Sequence, residues 1–160
     1  MSISKEIEKD LGANWIPSIY ETEVMQLRTR AFDLAVPQKE NSVEIVHTLL
    51  GIQLKTGSKL IACPDLSTAR YLRVFVRIGC PDVAVPYDIT RISSIADALE
   101  SAWHTALLML DEKMPDASNP SKARVRSALI KSMRTQVINL GPGDLMPKFD
   151  TETKQRKDRN

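Results

Sequence analysis

Three arginines on one predicted helix are the residues of this sequence best suited to binding chemistry. Arg70, Arg73 and Arg77 follow one another at intervals of three and four residues. At about 100° per residue, this spacing places them within about 60° of one another on one helix face. Such a row of guanidinium groups can bind carboxylates or phosphates through paired hydrogen bonds. The row predicts an anionic partner, and a solvated face paired with acids of the same chain is the alternative interpretation.

A second basic surface is predicted on the last helix. This helix begins at Asn119-Pro120, with Asn as its cap and Pro in its first turn. No acidic residue follows before Asp144, so the cations of the helix are uncompensated within it. We expect these cations to contact an anionic partner as well. They are Lys122, Arg124, Arg126, Lys131 and Arg134.

A possible ligand site is predicted where two short apolar strands end. Residues 59–88 read as strand, helix and strand, an order that favours a right-handed parallel crossover. Asp65 and Asp88 would then lie at the carboxyl ends of neighbouring strands, where open α/β sheets bind ligands. Ser67 and Thr68 would add hydroxyls and amides at the positive end of the arginine helix. The alternative interpretation is that both aspartates are helix caps.

The two cysteines and two histidines do not form a recognisable metal motif. Cys63 and Cys80 flank the arginine helix, while His47 and His104 lie far from each other in the sequence. A structural zinc site has a close pair of cysteines or of histidines, and neither is present. The sequence therefore predicts buried free thiols, no metal and no cofactor.

Catalytic signatures are also missing from the sequence. We find no phosphate loop, no dinucleotide-binding fingerprint, no His-Glu-x-x-His and no Gly-x-Ser-x-Gly. Glu100 and His104 lie one turn apart on a predicted helix, and a surface pair is the expected role for them. A binding protein is therefore expected rather than an enzyme.

Length and composition indicate one globular domain. The chain has 160 residues, 42% of them hydrophobic and 26% charged, with a formal net charge of +2. We predict a single domain over 1–147 and a disordered basic tail over 148–160, where apolar side chains are nearly missing. No apolar run reaches membrane length, and the N-terminus lacks the apolar core of a signal peptide. A cytoplasmic protein without a membrane partner is expected.

The segment 42–58 fits either a helix or a hairpin. Residues 52–55 alternate as a strand does, and residues 55–58 suit a tight turn into a strand over 60–62. The hairpin is favoured, because a two-stranded sheet would be too small to be stable.

Helical patterns account for most of the rest of the chain. We predict a short helix over 2–12 that ends at Gly12, and a helix that begins at a Ser18/Glu21 capping box and closes at Pro37. A long helix is predicted over 93–114, with Ser94 and Asp97 as its capping box. The predicted fold is α/β or α+β: a small sheet with a β-α-β unit at 59–88 and a favoured hairpin at 43–63, packed against four to five helices.

Three functional hypotheses follow from these patterns. The first is a non-enzymatic binding or regulatory protein that recognises an acidic partner protein, or a second copy of itself, through its arginine-rich helix faces. The second is a nucleic-acid-binding protein that contacts phosphates with the same residues, although it lacks an aromatic platform and a strong net positive charge. The third is a small-ligand or enzymatic site at the strand ends near Asp65 and Asp88.

Overall fold

Five α-helices and two small antiparallel sheets make up residues 2–143, the part of the chain that the computed structural model describes. This is an α+β fold, and the predicted class is confirmed. The predicted basic tail over 148–160, and the predicted end of the domain at 147, lie outside the described residues. The helices are α1 (Ile3–Leu11), α2 (Ile16–Ile19), α3 (Leu66–Ile78), α4 (Ile89–Lys113) and α5 (Asn119–Leu140).

Two sheets divide the five strands. One contains β2, β3 and β4 in that order, and the other contains β1 and β5. The three-stranded sheet confirms the hairpin predicted at 43–63. Leu54 of β3 lies opposite Ile45 on one side and Ile61 on the other, and Leu54 and Ile61 turn into the core. The strands are β1 (Thr29–Asp33), β2 (Glu44–Thr48), β3 (Gly51–Thr56), β4 (Lys59–Cys63) and β5 (Asp82–Pro86).

The parallel crossover expected within 59–88 is wrong. The order strand, helix, strand is present as β4, α3 and β5, but the two strands belong to different sheets. β4 pairs antiparallel with β3, and β5 pairs antiparallel with β1. The reason is β1, a strand that was not predicted. It pairs with β5 at the position where the crossover would have placed β4.

The long helix predicted from Ser18 to Pro37 is also wrong. Helix α2 begins after Trp15, with a proline in its first turn, and passes into a π-helical turn at Tyr20–Val24. The Ser18/Glu21 capping box is therefore not formed. The chain then extends as β1, because pairing with the buried strand β5 outweighs the local helical pattern.

Other helix ends follow from local chemistry, with some shifts in position. The Asp65 side chain accepts the Thr68 N–H at 2.7 Å at the start of α3, as predicted. Gly12 ends α1, also as predicted. Helix α4 begins one turn earlier than expected, because Asp88 caps it in place of the Ser94/Asp97 pair. Helix α5 is capped by Ser118 instead of the neighbouring asparagine.

Helix α3 is the centre of the core. It packs against α4, against α5 and against the three-stranded sheet. Tyr71 and Phe75 on α3 are fully buried. The Phe75 ring packs against the ring of Tyr71 and against that of Tyr20. The Tyr71 hydroxyl donates to the Ala84 carbonyl at 2.6 Å, which attaches β5 to α3. No helix within residues 2–143 combines the length and apolar character that a membrane span requires.

Candidate anion-binding groove

The segment that joins β1 to β2 crosses the C-terminal end of α3. We call residues 36–43 the linker. Asn41 fastens the linker, because its backbone N–H donates to the Arg77 carbonyl at 3.0 Å. The Asn41 side-chain amide also donates to the carbonyls of Pro37, Lys39 and Val76. These bonds satisfy carbonyls at the end of a helix and hold the linker in one conformation.

Gly79 allows the linker to come this close to α3. It ends the helix with φ of +89°, a left-handed conformation that glycine adopts at little cost. A β-carbon at this position would lie 2.3 Å from the Lys39 carbonyl oxygen and 2.9 Å from that of Pro37. Both are backbone atoms, so any larger residue would force the linker away from the helix.

Three adjoining concavities surround the linker, with volumes of about 380, 220 and 330 Å³. Glu40 lines all three, and we call the three concavities together the linker groove. Glu40 is also the only acidic residue among the described residues that line it. The lining includes six cations, contributed by the linker, β4, α3 and α5. They are Lys39, Lys59, Arg77, Arg126, Lys131 and Arg134.

Among the described cations of the groove, Arg77 is the one whose side chain is partly buried and also has no hydrogen-bonded partner. Its side chain is half-buried, and within residues 2–143 no hydrogen bond or ion pair engages its guanidinium group. Burial lowers the pKa of Arg77, and the positive charge of Arg73 lowers it further. A half-buried cation without a partner is a favourable position for an anion.

Arg126 lines the same concavity and is paired. Its Nε donates to Glu40 Oε1 at 3.0 Å and its Nη2 donates to Oε2 at 2.5 Å, a two-bond contact between planar groups. The guanidinium group lies over the Trp103 ring, 5.9 Å from its centroid. The hydrogen bonds that Arg126 donates to Glu40 raise the pKa of Arg126, while partial burial opposes that rise.

The other two arginines of the predicted row face α4. Arg70 forms ion pairs with Asp97 and Glu100, the latter at 2.7 Å, and Arg73 pairs with Glu100 at 3.0 Å. Partial burial acts to raise the pKa of Glu100, but the hydrogen bonds from both arginines outweigh it and the pKa is lowered. Glu100 therefore pairs with Arg70 and Arg73, whereas a surface pair with His104 was expected.

The predicted cations of α5 also divide into two groups. Arg126, Lys131 and Arg134 line the linker groove, and Arg134 donates to the carbonyls of Ile78 at 2.9 Å and Gln38 at 2.8 Å. Lys122 lies 3.8 Å from Asp111, and Arg124 donates to the Ser121 hydroxyl. The structure thus places Arg77 in one concavity with Arg126, and Lys131 and Arg134 in the neighbouring one.

Comparisons with protein-family models, curated proteins and solved structures found no match.

The predicted site at the strand ends loses the geometry on which it depended. Asp65 and Asp88 follow strands of two different sheets, so parallel pairing does not bring them to one edge. Each is an N-cap: Asp65 accepts from Thr68, and Asp88 accepts from the amide and hydroxyl of Thr90. The hydrogen bonds from Thr90 lower the pKa of Asp88. Thr68 is buried and Ser67 is half-buried on the first turn of α3.

The cysteines are buried and free, as predicted. Burial raises the pKa of Cys63 to about 11 and that of Cys80 to about 12, so both remain protonated at neutral pH. His47 and His104 are exposed. No group of three or more metal-ligating side chains occurs among residues 2–143.

Sequence patterns did not identify the linker as part of a site. Lys39, Glu40 and Asn41 belong to a polar run between two apolar segments, which is typical of an ordinary loop. The signal that could have singled them out is the glycine at 79, since a glycine at a helix end often marks a close backbone approach. Nothing in the sequence, however, indicates which segment approaches it.

Proposed function

We propose that this chain is a non-enzymatic binding protein whose linker groove holds an acidic segment of a partner protein. The observation that carries the proposal is the lining of the groove, which within residues 2–143 contains six cations and one acid. The whole chain has a formal net charge of only +2, so this excess of positive charge is local. A positive concavity with few competing acids attracts and orients negatively charged segments.

Arg77 supports an acidic ligand in particular. Its guanidinium group has lost part of its hydration without gaining a carboxylate from residues 2–143. A ligand carboxylate placed there would form charge-assisted hydrogen bonds and offset the cost of burying the cation. The hydrogen bonds of Asn41 already hold the linker in place, so the groove would lose little conformational entropy on binding.

A protein segment fits the groove better than a nucleic acid does. Trp103 is the only aromatic residue among the described residues that line the groove, and it is 4% exposed beneath Arg126. Single-stranded nucleic acids bind through exposed aromatic platforms, and this part of the lining offers none. A regulatory role, self-association and a cytoplasmic location remain predictions from the sequence.

The binding experiment uses fluorescence anisotropy with a labelled oligoglutamate, and oligoglutamine as the neutral probe. We expect oligoglutamate to bind, with an affinity that falls as salt rises, and oligoglutamine not to bind. The double variant Lys39→Gln/Lys131→Gln removes two exposed groove cations and should weaken binding roughly threefold to tenfold.

The matched control is Lys5→Gln/Arg124→Gln, which removes the same charge from exposed residues that do not line the groove. Equal losses in the two double variants would mean a general charge effect and would contradict the proposal. Single-stranded and duplex DNA are measured in the same way. If DNA binds more tightly than oligoglutamate, and Lys39→Gln/Lys131→Gln abolishes that binding, the ligand of the groove is a nucleic acid and not an acidic protein segment.

A further inference from the structure

The Glu40 carboxylate is held by Arg126 at the edge of the groove. Its two oxygens accept from Nε and Nη2 of Arg126, at 3.0 and 2.5 Å. Both side chains are about 40% exposed, so the pair lies at the surface of the groove and not in the core. Because both groups keep contact with solvent, opening this pair costs less than opening a buried ion pair.

The concavity beside this pair contains a second, unoccupied guanidinium group. Arg77 lines the same 330 Å³ space as Glu40 and Arg126, with Trp103 and Asn41 in the lining as well. Within residues 2–143, Arg77 has no ion-pair partner, and its closest opposing charges come from Glu100 and Glu40 acting through space. The linker is anchored one residue away from Glu40, at Asn41, so the Glu40 side chain can turn without displacing the linker backbone.

We propose that Glu40 is an internal competitor for a carboxylate-binding subsite formed by Arg77 and Arg126, and that the acidic side chain of a partner protein displaces it. This inference rests on the proposed function of the groove. A carboxylate is the group expected there, because a carboxylate is what Arg126 already holds in a two-bond contact. Binding then exchanges one carboxylate for another at Arg126 and adds a contact to Arg77.

If Glu40 competes with the ligand, weakening its contact with Arg126 should strengthen the binding of oligoglutamate. Glu40→Gln removes the charge-assisted contact and frees Arg126, so oligoglutamate should bind about threefold more tightly than to the unsubstituted chain. Glu40→Asp keeps the net charge but shortens the side chain by one methylene, and it should give a smaller gain in the same direction. Glu21→Gln adds the same net positive charge outside the groove and should leave the affinity unchanged within a factor of about 1.5.

The decisive comparison is made in an Arg126→Gln background. In that background Glu40 has lost the guanidinium group to which it is hydrogen-bonded. Glu40→Gln should therefore no longer produce a gain beyond that of Glu21→Gln. Thermal unfolding of each variant checks that the fold is kept, and the Glu40→Asp variant carries the test if Glu40→Gln does not fold.

Several results would overturn the inference. If oligoglutamate binds the groove but neither Glu40 variant binds more tightly, the competition is wrong and the proposed function stands. If the Glu40→Gln gain persists in full with Arg126→Gln, the effect is general electrostatics. If only a phosphorylated peptide, and not oligoglutamate, gains affinity, the subsite is a phosphate site. If oligoglutamate binds neither the unsubstituted chain nor the variants, both proposals fail.

Discussion

At the scale of single residues, Glu100 decides what the arginine row does. Its side chain is 21% exposed and accepts from both Arg70 and Arg73, so two of the three arginines join α3 to α4. Arg73 Nε is buried and makes no hydrogen bond with residues 2–143, which indicates that one carboxylate does not satisfy both guanidinium groups fully. Only Arg77, one turn further on, is left to face the groove.

Replacing Glu100 by glutamine should destabilise the fold. We expect a loss of about 2 kcal/mol in the free energy of unfolding at neutral pH, because two partly buried guanidinium groups lose their shared acceptor. Urea denaturation measures the loss. The matched variant Asp97→Asn, whose side chain is 67% exposed, should cost about 0.5 kcal/mol or less.

The same carboxylate predicts a dependence on pH. The pKa of Glu100 is lower in the folded chain than its ordinary value of 4.5, so folding favours the ionised form. Its contribution to stability is therefore present above pH 4.5 and is lost as the pH falls through the lowered folded-state value. The difference between the unsubstituted chain and Glu100→Gln should shrink over that acidic range. A difference that is constant or grows on acidification would contradict this assignment.

At the scale of elements, helix ends could be predicted and strand partners could not. Asp65 and Gly79 bound α3 as predicted, because a capping carboxylate and a left-handed glycine act on their own neighbours in the chain. The strand at Thr29–Asp33 was missed, because its partner β5 lies about fifty residues further along and local spacing there favours a helix. The linker groove was missed for the same reason. Arg77 and Arg126 share one concavity only because α5 packs beside α3, which no local pattern encodes.

Gly79 provides the element-scale test, since it sets the distance between α3 and the linker. Gly79→Ala should cost about 3 kcal/mol, from the left-handed backbone and from the clash with the carbonyl of Lys39. Gly57→Ala is the control: Gly57 also has a positive φ, of +58°, but a β-carbon there would meet nothing within 4 Å. It should cost about 1 kcal/mol, for the backbone alone.

The Gly79→Ala variant also provides a test of binding. Because the clash pushes on the linker, Gly79→Ala should also weaken oligoglutamate binding at a temperature where the variant is still folded. Chemical denaturation gives the stabilities, and anisotropy gives the affinities. Equal costs for the two alanine variants would show that the linker does not press against α3.

At the scale of the whole molecule, one core connects both sheets. Tyr71 attaches β5 to one side of α3, and the three-stranded sheet packs against the same helix. Leu54, on the middle strand β3, is fully buried in this core, whereas Leu60 on the neighbouring strand β4 is 52% exposed. Since residues of α3 and of both sheets belong to one hydrophobic core, the two sheets should not unfold independently.

Leu54→Ala tests this cooperativity. The substitution removes buried methyl groups from the three-stranded sheet and should cost about 3 kcal/mol, whereas Leu60→Ala should stay within about 0.5 kcal/mol.

Unfolding in urea is followed by tryptophan fluorescence, which reports on Trp15 and Trp103 in the helical part, and by far-ultraviolet circular dichroism, which reports on the whole backbone. The two signals should change at one midpoint, and the Leu54→Ala variant should lower that midpoint for both. If the circular dichroism of the variant changed first while the tryptophan signal kept its original midpoint, the three-stranded sheet would be a separate folding unit, and the linker between the sheets would be a hinge instead of a fixed wall of the groove.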